Sequence, residues 1–180
     1  AFGGSLGAEK LNSVMLDVAA KFNANRPNVF FILSSGGKRY ETVMASAEKA
    51  GVSESKNIRI MQYIFNMPEW EACADIVICR AGAMTISEIA LMGKAAIIIP
   101  SPYVTNNHQY ENAKRLADAG AAILIEEKNL TADVLSKELE ELISDVNKRR
   151  KMCENIRKFA YPQAKERIYS DLKRIIKINE

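Results

Sequence analysis

Residues 76–99 read IVICRAGAMTISEIALMGKAAIII, a succession of strand, turn, helix and second strand. The two outer runs, residues 76–79 and 95–99, consist almost entirely of apolar side chains and have no polar face. Strands without a polar face are buried on both sides, as in a parallel sheet that helices cover on each face. The stretch therefore predicts a βαβ unit of an α/β protein.

The same alternation continues on both sides of this unit. Further strand runs are predicted at residues 29–33, 58–64 and 121–125. Apolar periodicity and helix-ending glycines predict helices over residues 11–22, 41–50, 67–73, 85–92, 107–119 and 132–146. Together with a strand end at residues 1–2, these elements predict a Rossmann-like three-layer sandwich with a parallel sheet of about six strands.

The composition excludes several classes of protein. The chain has 180 residues, 48% hydrophobic and 26% charged, which is typical of a folded domain. Its net charge of +3 is too small to indicate nucleic-acid binding, and its apolar runs are too short to cross a membrane. His108 is the single histidine, which excludes a multi-histidine metal site. Three cysteines without a CxxC pair favour a reducing compartment.

The two ends of the sequence differ from its middle. Residues 1–160 form the predicted domain, and residues 161–180 are predicted to form a C-terminal helix with no strand after it. The apolar stripe of that helix, over residues 164–178, would pack on the sheet or reach towards a domain outside this chain. Residues 1–5 resemble the end of a strand that enters a glycine turn, so we expect the chain to be a piece of a longer protein.

Ligands of doubly wound sheets bind at the carboxyl ends of strands, so the turns there are the first candidates for a site. One such turn is Gly3-Gly4-Ser5-Leu6-Gly7, between a strand end and a helix. Glycines let the backbone approach a phosphate closely, and the amides at a helix N-terminus attract anions. The alternative is a tight turn in which Ser5 caps the helix locally.

A second turn, Arg80 to Glu88, follows the buried strand at residues 76–79. Thr85 and Glu88 have the spacing of a capping box, which is one explanation of Glu88. The other is that Glu88 lies one turn into the helix and accepts hydrogen bonds from both hydroxyls of a ribose. Arg80 comes directly after apolar strand residues, so we expect it to be paired or to lie near an anion.

Two further turns carry candidate polar and apolar contacts. His108, Gln109 and Asn112 share a face near the start of a helix, and amide side chains that donate and accept suit sugar hydroxyls. Asn107 is the predicted N-cap of that helix, which explains one residue of the run. The segment around Ile64 would sandwich a base while the Ile64 backbone reads its edge, although such residues also fill ordinary cores.

Three segments in this order resemble one known family: GGSLGA at residues 3–8, CRAGAMTISEIALMGKAAIIIPSPY at residues 79–103, and NHQYENAKRLADAGAA at residues 107–122. They are similar to the C-terminal half of the MurG family, bacterial transferases that add GlcNAc from UDP-GlcNAc to lipid I and so make lipid II. The resemblance covers nearly the whole chain. It implies one half of a GT-B glycosyltransferase, the half that binds the donor.

The resemblance also implies a role for each matching residue. Ser5 would contact the diphosphate, the Ile64 backbone would bind uracil, and Glu88 would hold the ribose hydroxyls. Leu6 departs from the family, which usually has glutamine there. The segment that offers helix N-terminal contacts to phosphate and sugar consists of Ala83, Met84, Thr85, Ile86 and Ser87. The side chains that would line the GlcNAc hydroxyls are those of His108, Gln109 and Asn112.

Other parts of the reaction are expected outside this chain. In the family, the N-terminal half supplies the lipid I site, the membrane contact and the base, so no catalytic residue is assigned and this chain alone is expected to be inactive. The resemblance implies a peripheral place on the cytoplasmic face of the bacterial membrane, with no cofactor and no metal. Another GT-B domain, a nucleotide-sugar epimerase domain or a non-catalytic nucleotide-sugar-binding subunit remains an alternative.

Overall fold

The computed structural model describes residues 1–4 and 7–176 and shows an α/β fold. Within these residues the strands are β1 (Phe31–Ser34), β2 (Ile58–Met61), β3 (Ile76–Cys79), β4 (Ala95–Ile98) and β5 (Ile123–Leu124). The α-helices are α1 (Glu9–Asn25), α2 (Tyr40–Lys49), α3 (Met67–Cys73), α4 (Ala83–Met92), α5 (His108–Asp118), α6 (Ala132–Ser144), α7 (Val146–Arg157) and α8 (Ala164–Ile176). The predicted Rossmann-like alternation of strands and helices is confirmed.

The strands are all parallel and fall into two groups that one residue joins. β1 pairs with β2, and β4 lies between β3 and β5. Phe2 forms parallel bridges to Ser34 of β1 and Cys79 of β3, and so it links the two groups. The described chain therefore has five strands, and the sixth strand expected at residues 1–2 is present as these bridges.

The core lies on both faces of the sheet, as the absence of a polar face in residues 95–99 predicts. Ile97 belongs to a cluster with buried side chains of α1 and α6, whereas Ile98 belongs to a second cluster with side chains of α4 and α5. Successive residues of a strand point to opposite faces, so one apolar strand supplies both clusters. The result is the three-layer sandwich that the sequence predicts.

β2 is shorter than the predicted run of residues 58–64. It ends at Met61, which pairs with Ser34, the last residue of β1. The Ser35 and Gly36 N–H groups still donate to the Met61 and Gln62 carbonyls, at 2.9 Å and 3.2 Å, and beyond Gln62 the chain leaves the sheet. Ile64 therefore lies between β2 and α3 and is not part of a strand.

α8 lies on the surface. None of its residues, all within the described range, is buried, and its exposed apolar side chains include Ile168, Leu172, Ile175 and Ile176. The part of the predicted helix beyond Ile176 lies outside the described residues. Among the described helices, none is long and apolar enough to cross a membrane.

Candidate functional site

A cleft of about 910 Å³ lies at the carboxyl ends of the strands. It brings together the glycine turn before α1, the turn between β3 and α4, and the segment after β4. The residues of these turns that line it include Gly3, Gly4, Gly7, Gly82, Thr85, Ser101 and Gln109. Three of the four turns singled out in the sequence therefore meet at one cavity.

The glycine turn places the start of α1 at this cleft. Gly4 and Gly7 have φ angles of 84° and 72°, in the left-handed region that glycine adopts without strain, and the Gly7 N–H donates to the Gly4 carbonyl at 3.0 Å. In the described chain no side chain caps α1 at Ala8, so its first amides keep their capacity to bind an anion. Ser5 and Leu6 lie outside the described residues.

The start of α4 excludes the capping-box explanation of Glu88. The helix begins at Ala83 with Gly82 as its N-cap, so Thr85 is the third helical residue and not the cap. Glu88 then lies beyond the first turn of α4 and is half-buried. Within the part of the chain that the structure describes, its carboxylate forms neither a hydrogen bond nor an ion pair, and it is not among the cleft-lining residues.

The amides of α4 divide into open and occupied groups. No described side chain caps the helix at Gly82, so the N–H groups of Ala83, Met84 and Thr85 have no side-chain cap. The Ile86 N–H already donates to the Gly82 carbonyl at 3.0 Å, and the Ser87 hydroxyl donates to the Ala83 carbonyl at 3.0 Å. The first three residues of the predicted segment are therefore better placed to bind a phosphate than the last two.

The start of α5 carries the predicted sugar-binding side chains. The Gln109 side-chain oxygen accepts from the Ser101 N–H at 2.9 Å, and the Asn112 amide donates to the Ala81 carbonyl at 3.3 Å. The Gln109 NH2 group and the Asn112 oxygen remain available to a ligand. His108 is exposed, with Nδ1 at 2.8 Å from the Thr105 carbonyl, and among these three side chains of the described chain only Gln109 lines the cleft.

The backbone before α5 takes an uncommon conformation. Asn106 and Asn107 have φ angles of 54° and 51°, in the left-handed region that asparagine tolerates better than most residues. Asn107 occupies the predicted N-cap position, but within the described chain its side chain makes no cap hydrogen bond. Capping therefore does not explain the polar run, whose side chains instead hold nearby backbone groups of residues 81, 101 and 105.

Ile64 keeps its backbone groups available. Neither its N–H nor its carbonyl forms a hydrogen bond to any other residue of the described chain. Its neighbours Tyr63 and Phe65 are exposed, with ring centroids 6.2 Å apart. The segment can present an amide, a carbonyl and aromatic faces to a base, although it lies outside the lining of the cleft described above.

Arg80 is paired, as its position after β3 predicts, and its partner is a residue that the sequence did not indicate. Its guanidinium forms an ion pair with Glu127, and the two side chains are 12% and 10% exposed. It also donates to the carbonyls of Ile99 and Pro100, each at 3.1 Å. Both Arg80 and Glu127 line the cleft.

Arg39 is a second cleft-lining residue that the sequence did not indicate. Its guanidinium forms an ion pair with Glu9 in the first turn of α1, at 2.5 Å. The two residues are 30 positions apart in the chain. The signal that was available is the Ser34-Ser35-Gly36-Gly37 turn after β1, which places the following cation at the same edge of the sheet.

Glu71 is a buried carboxyl group next to Glu88. Its residue is 3% exposed, and within the described chain neither of its side-chain oxygens has a hydrogen-bond partner. The pKa of Glu71 is raised from 4.5 to about 7, mainly by burial and to a smaller extent by the Glu88 carboxylate, while the Lys94 ammonium opposes the rise. Burying an unpaired charge is unfavourable, so the neutral form of Glu71 is favoured in the folded protein.

Replacing Glu71 with glutamine is expected to remove a pH-dependent loss of stability. The folded chain holds the Glu71 proton more tightly than the unfolded chain does. The stabilisation that the protonated carboxyl group gives the fold is therefore fully present below about pH 4.5 and is lost as the pH rises through about 7. Between about pH 5 and pH 8 the free energy of unfolding of the unmodified chain should fall relative to that of the variant. With allowance for solvent screening, this relative change should be about 1–2 kcal/mol. Urea denaturation at both pH values measures this change.

The matched control for that experiment is Glu69→Gln, which alters an exposed carboxylate on the same helix. It should leave the pH dependence of unfolding unchanged. If both variants showed the same pH dependence as the unmodified chain, the buried position of Glu71 would have no energetic consequence.

Comparison with known proteins gives the same assignment over most of the chain. The model of the glycosyltransferase family 28 C-terminal domain matches residues 1–168. The UDP-N-acetylglucosamine–N-acetylmuramyl-(pentapeptide) pyrophosphoryl-undecaprenol N-acetylglucosamine transferase of Acetivibrio thermocellus is 42% identical over 176 residues, 98% of this chain and 47% of the relative. The protein of that name from Caldicellulosiruptor saccharolyticus is 45% identical over 168 residues, 93% of this chain and 45% of the relative. The chain thus spans about half the length of these relatives.

Solved structures show the same fold. The crystal structure of Acinetobacter baumannii MurG matches with a TM-score of 0.81 and 29% identity, over 96% of this chain and 48% of that chain. The structure of S. aureus MnaA with UDP matches with a TM-score of 0.73 at 13% identity, over 96% of this chain and 43% of that chain, and shows a shared fold only. Because the family model covers residues 1–168 and the MurG likeness extends along nearly the whole chain, this chain belongs to glycosyltransferase family 28, as its C-terminal domain.

Proposed function

We propose that this chain binds UDP-GlcNAc and is the donor-binding half of the transferase that adds GlcNAc to lipid I. The observation that carries the proposal is the start of α4, where uncapped amides lie beside the cleft and the unpaired carboxylate of Glu88 follows within the described residues. Relatives that are named as N-acetylglucosamine transferases of lipid-linked muramyl-pentapeptide support the choice of sugar and of reaction.

Each part of the donor has a group of matching chemistry. The diphosphate would lie between the N-termini of α1 and α4, where unpaired amides and helix dipoles stabilise negative charge. Glu88 would accept hydrogen bonds from the ribose hydroxyls, and the free backbone of Ile64 would pair with the edge of the uracil. Gln109 and Asn112 would contact the GlcNAc hydroxyls, with His108 at the exposed rim.

These contacts suit the departure of UDP in a glycosyl transfer. As the bond to the sugar breaks, negative charge grows on the diphosphate, and amides already aimed at that position stabilise it without rearrangement. The part of the reaction that activates the lipid I hydroxyl is proposed to correspond to the half of the relatives' length that this chain does not span. The same holds for contact with the cytoplasmic face of the membrane.

The test of this function is the affinity of the chain for three ligands, UDP, UDP-GlcNAc and UDP-GalNAc, measured by calorimetry. The two sugars differ in the orientation of the C4 hydroxyl, and a misplaced hydroxyl leaves a polar group of the site unsatisfied at about 1–3 kcal/mol. We therefore expect UDP-GlcNAc to bind roughly 5- to 100-fold more tightly than UDP-GalNAc. Equal affinities would remove the sugar-reading role from α5, and no binding of UDP would refute the proposal.

Asn112→Ala should reduce the difference in affinity between UDP-GlcNAc and UDP-GalNAc more than it weakens binding of UDP itself, because the proposal assigns Asn112 to the sugar and not to the nucleotide. Asn147→Ala is the matched control, since Asn147 is exposed on α7. That variant should bind all three ligands as the unmodified chain does. A uniform loss of affinity for all three in Asn112→Ala would show a structural role only.

A further inference from the structure

The cleft contains a partly buried ion pair that the proposed donor contacts do not use. Arg80 follows β3, and Glu127 lies after β5, 47 residues later. Both side chains are largely but not fully buried, so the pair is only partly screened by solvent. Lys10 in the first turn of α1 donates to the Glu127 backbone carbonyl at 2.5 Å. Glu127 thus contacts both the turn after β3 and the first turn of α1.

A continuous path of hydrogen bonds leads from this pair to the proposed sugar site. Arg80 Nη2 contacts Glu127, while its Nη1 donates to the carbonyls of Ile99 and Pro100. The next residue, Ser101, donates its N–H to the Gln109 side-chain oxygen at 2.9 Å. That bond fixes which end of the Gln109 amide faces the protein, and so which end remains for a ligand.

We propose that Glu127 is a positioning residue for the sugar. By holding the Arg80 guanidinium, it sets the place of the Pro100–Ser101 segment and through it the orientation of Gln109. A guanidinium has its donors in a rigid fork, so a shift on the Glu127 side moves the donors on the carbonyl side as well. This inference rests on the proposed function, because it assigns to Glu127 control over the sugar part of donor affinity and not over the UDP part.

The experiment compares UDP with UDP-GlcNAc, by calorimetry, in Glu127→Asp and Glu127→Gln. Aspartate keeps the charge but is one methylene shorter, so Arg80 must shift to reach it. We expect this variant to bind UDP-GlcNAc about tenfold more weakly, close to the loss of one hydrogen bond, with UDP affinity within about twofold. Glutamine has the same side-chain length as glutamate and keeps an acceptor oxygen for Arg80. The UDP-GlcNAc affinity of Glu127→Gln should therefore lie within about threefold of that of the unmodified chain.

Glu126→Gln is the matched control, because Glu126 pairs with Lys128 at 3.0 Å and does not line the cleft. It should bind both ligands normally. Thermal melting establishes whether Glu127→Asp folds. If it does not, Arg80→Lys changes the other member of the ion pair and should show the same selective loss of UDP-GlcNAc affinity.

Two results in Glu127→Asp, or in Arg80→Lys if Glu127→Asp does not fold, would overturn the inference while leaving the proposed function intact. One is an undiminished advantage of UDP-GlcNAc over UDP, and the other is an equal loss of affinity for both ligands. Failure of the unmodified chain to bind UDP would instead refute the proposed function, and this inference with it.

Discussion

The substitution Gly7→Ala is expected to lower the free energy of unfolding by about 2–5 kcal/mol. The φ angle of Gly7 is +72°, and its Cβ would lie 2.2 Å from the Ser35 carbonyl oxygen. That oxygen cannot easily retreat, because the Asn12 side chain donates to it at 2.9 Å and the Ser35 N–H donates to Met61 at 2.9 Å. The loss combines a strained backbone with a steric clash, and urea denaturation measures it.

Gly4→Ala separates the two contributions. Gly4 also has a positive φ, +84°, but a Cβ there would meet nothing within 4 Å among the described atoms. Its substitution should therefore cost only the left-handed conformation, about 1–2 kcal/mol. Equal losses in the two variants would mean that the approach of the glycine turn to Ser35 does not constrain residue 7.

Replacing Glu88 with glutamine is expected to weaken UDP binding by about 1.5–3 kcal/mol, or roughly ten- to hundredfold in Kd. A carboxylate can accept from both ribose hydroxyls, whereas an amide offers one acceptor oxygen and presents a donor in place of the other. Calorimetry with UDP measures the loss. Because Thr85 and Glu88 do not form a capping box, the fold should remain intact.

The stability of the same variant gives an internal check. The Glu88 carboxylate raises the pKa of Glu71, so removing its charge should lower that pKa. Above about pH 7 the free energy of unfolding of Glu88→Gln should therefore be at least as large as that of the unmodified chain. Glu140→Gln, an exposed change on α6, is the control for UDP affinity and should have no effect. Normal UDP binding by Glu88→Gln would contradict the ribose contact, and a loss that only follows the unfolded fraction would assign Glu88 a structural role.

The elements that local pattern determines were predictable from the sequence. The residues of β3 and α3 have the predicted bounds, because an apolar run and a proline-started helix are signals contained in the segment itself. The start of α4 was misplaced at Thr85, since threonine is an ordinary N-cap residue, while the structure uses Gly82. The end of β2 at Met61 depends on where β1 ends, which no local pattern encodes.

The candidate site was predictable where strand order alone brings turns together. The glycine turn, the start of α4 and the segment after β4 meet because the carboxyl ends of parallel strands share one edge. Glu127 was not predictable, since its position beside Arg80 depends on how the chain after β5 returns across the cleft, 47 residues away. The roles of Glu88, Ile64, His108, Gln109 and Asn112 stay predictions, and that of Ser5 falls outside the described residues.

The two amide side chains at the start of α5 are held in opposite senses by the backbone. Gln109 has its oxygen engaged by Ser101, and Asn112 has its nitrogen engaged by Ala81, so one offers a donor and the other an acceptor. Both amides are thus already oriented, and a ligand that needed one donor and one acceptor here would spend no free energy on turning them. A leucine at position 109 would remove the acceptor for the Ser101 N–H, and an aspartate at position 112 would remove the donor to the Ala81 carbonyl, so each amide also anchors a backbone segment at this edge of the sheet.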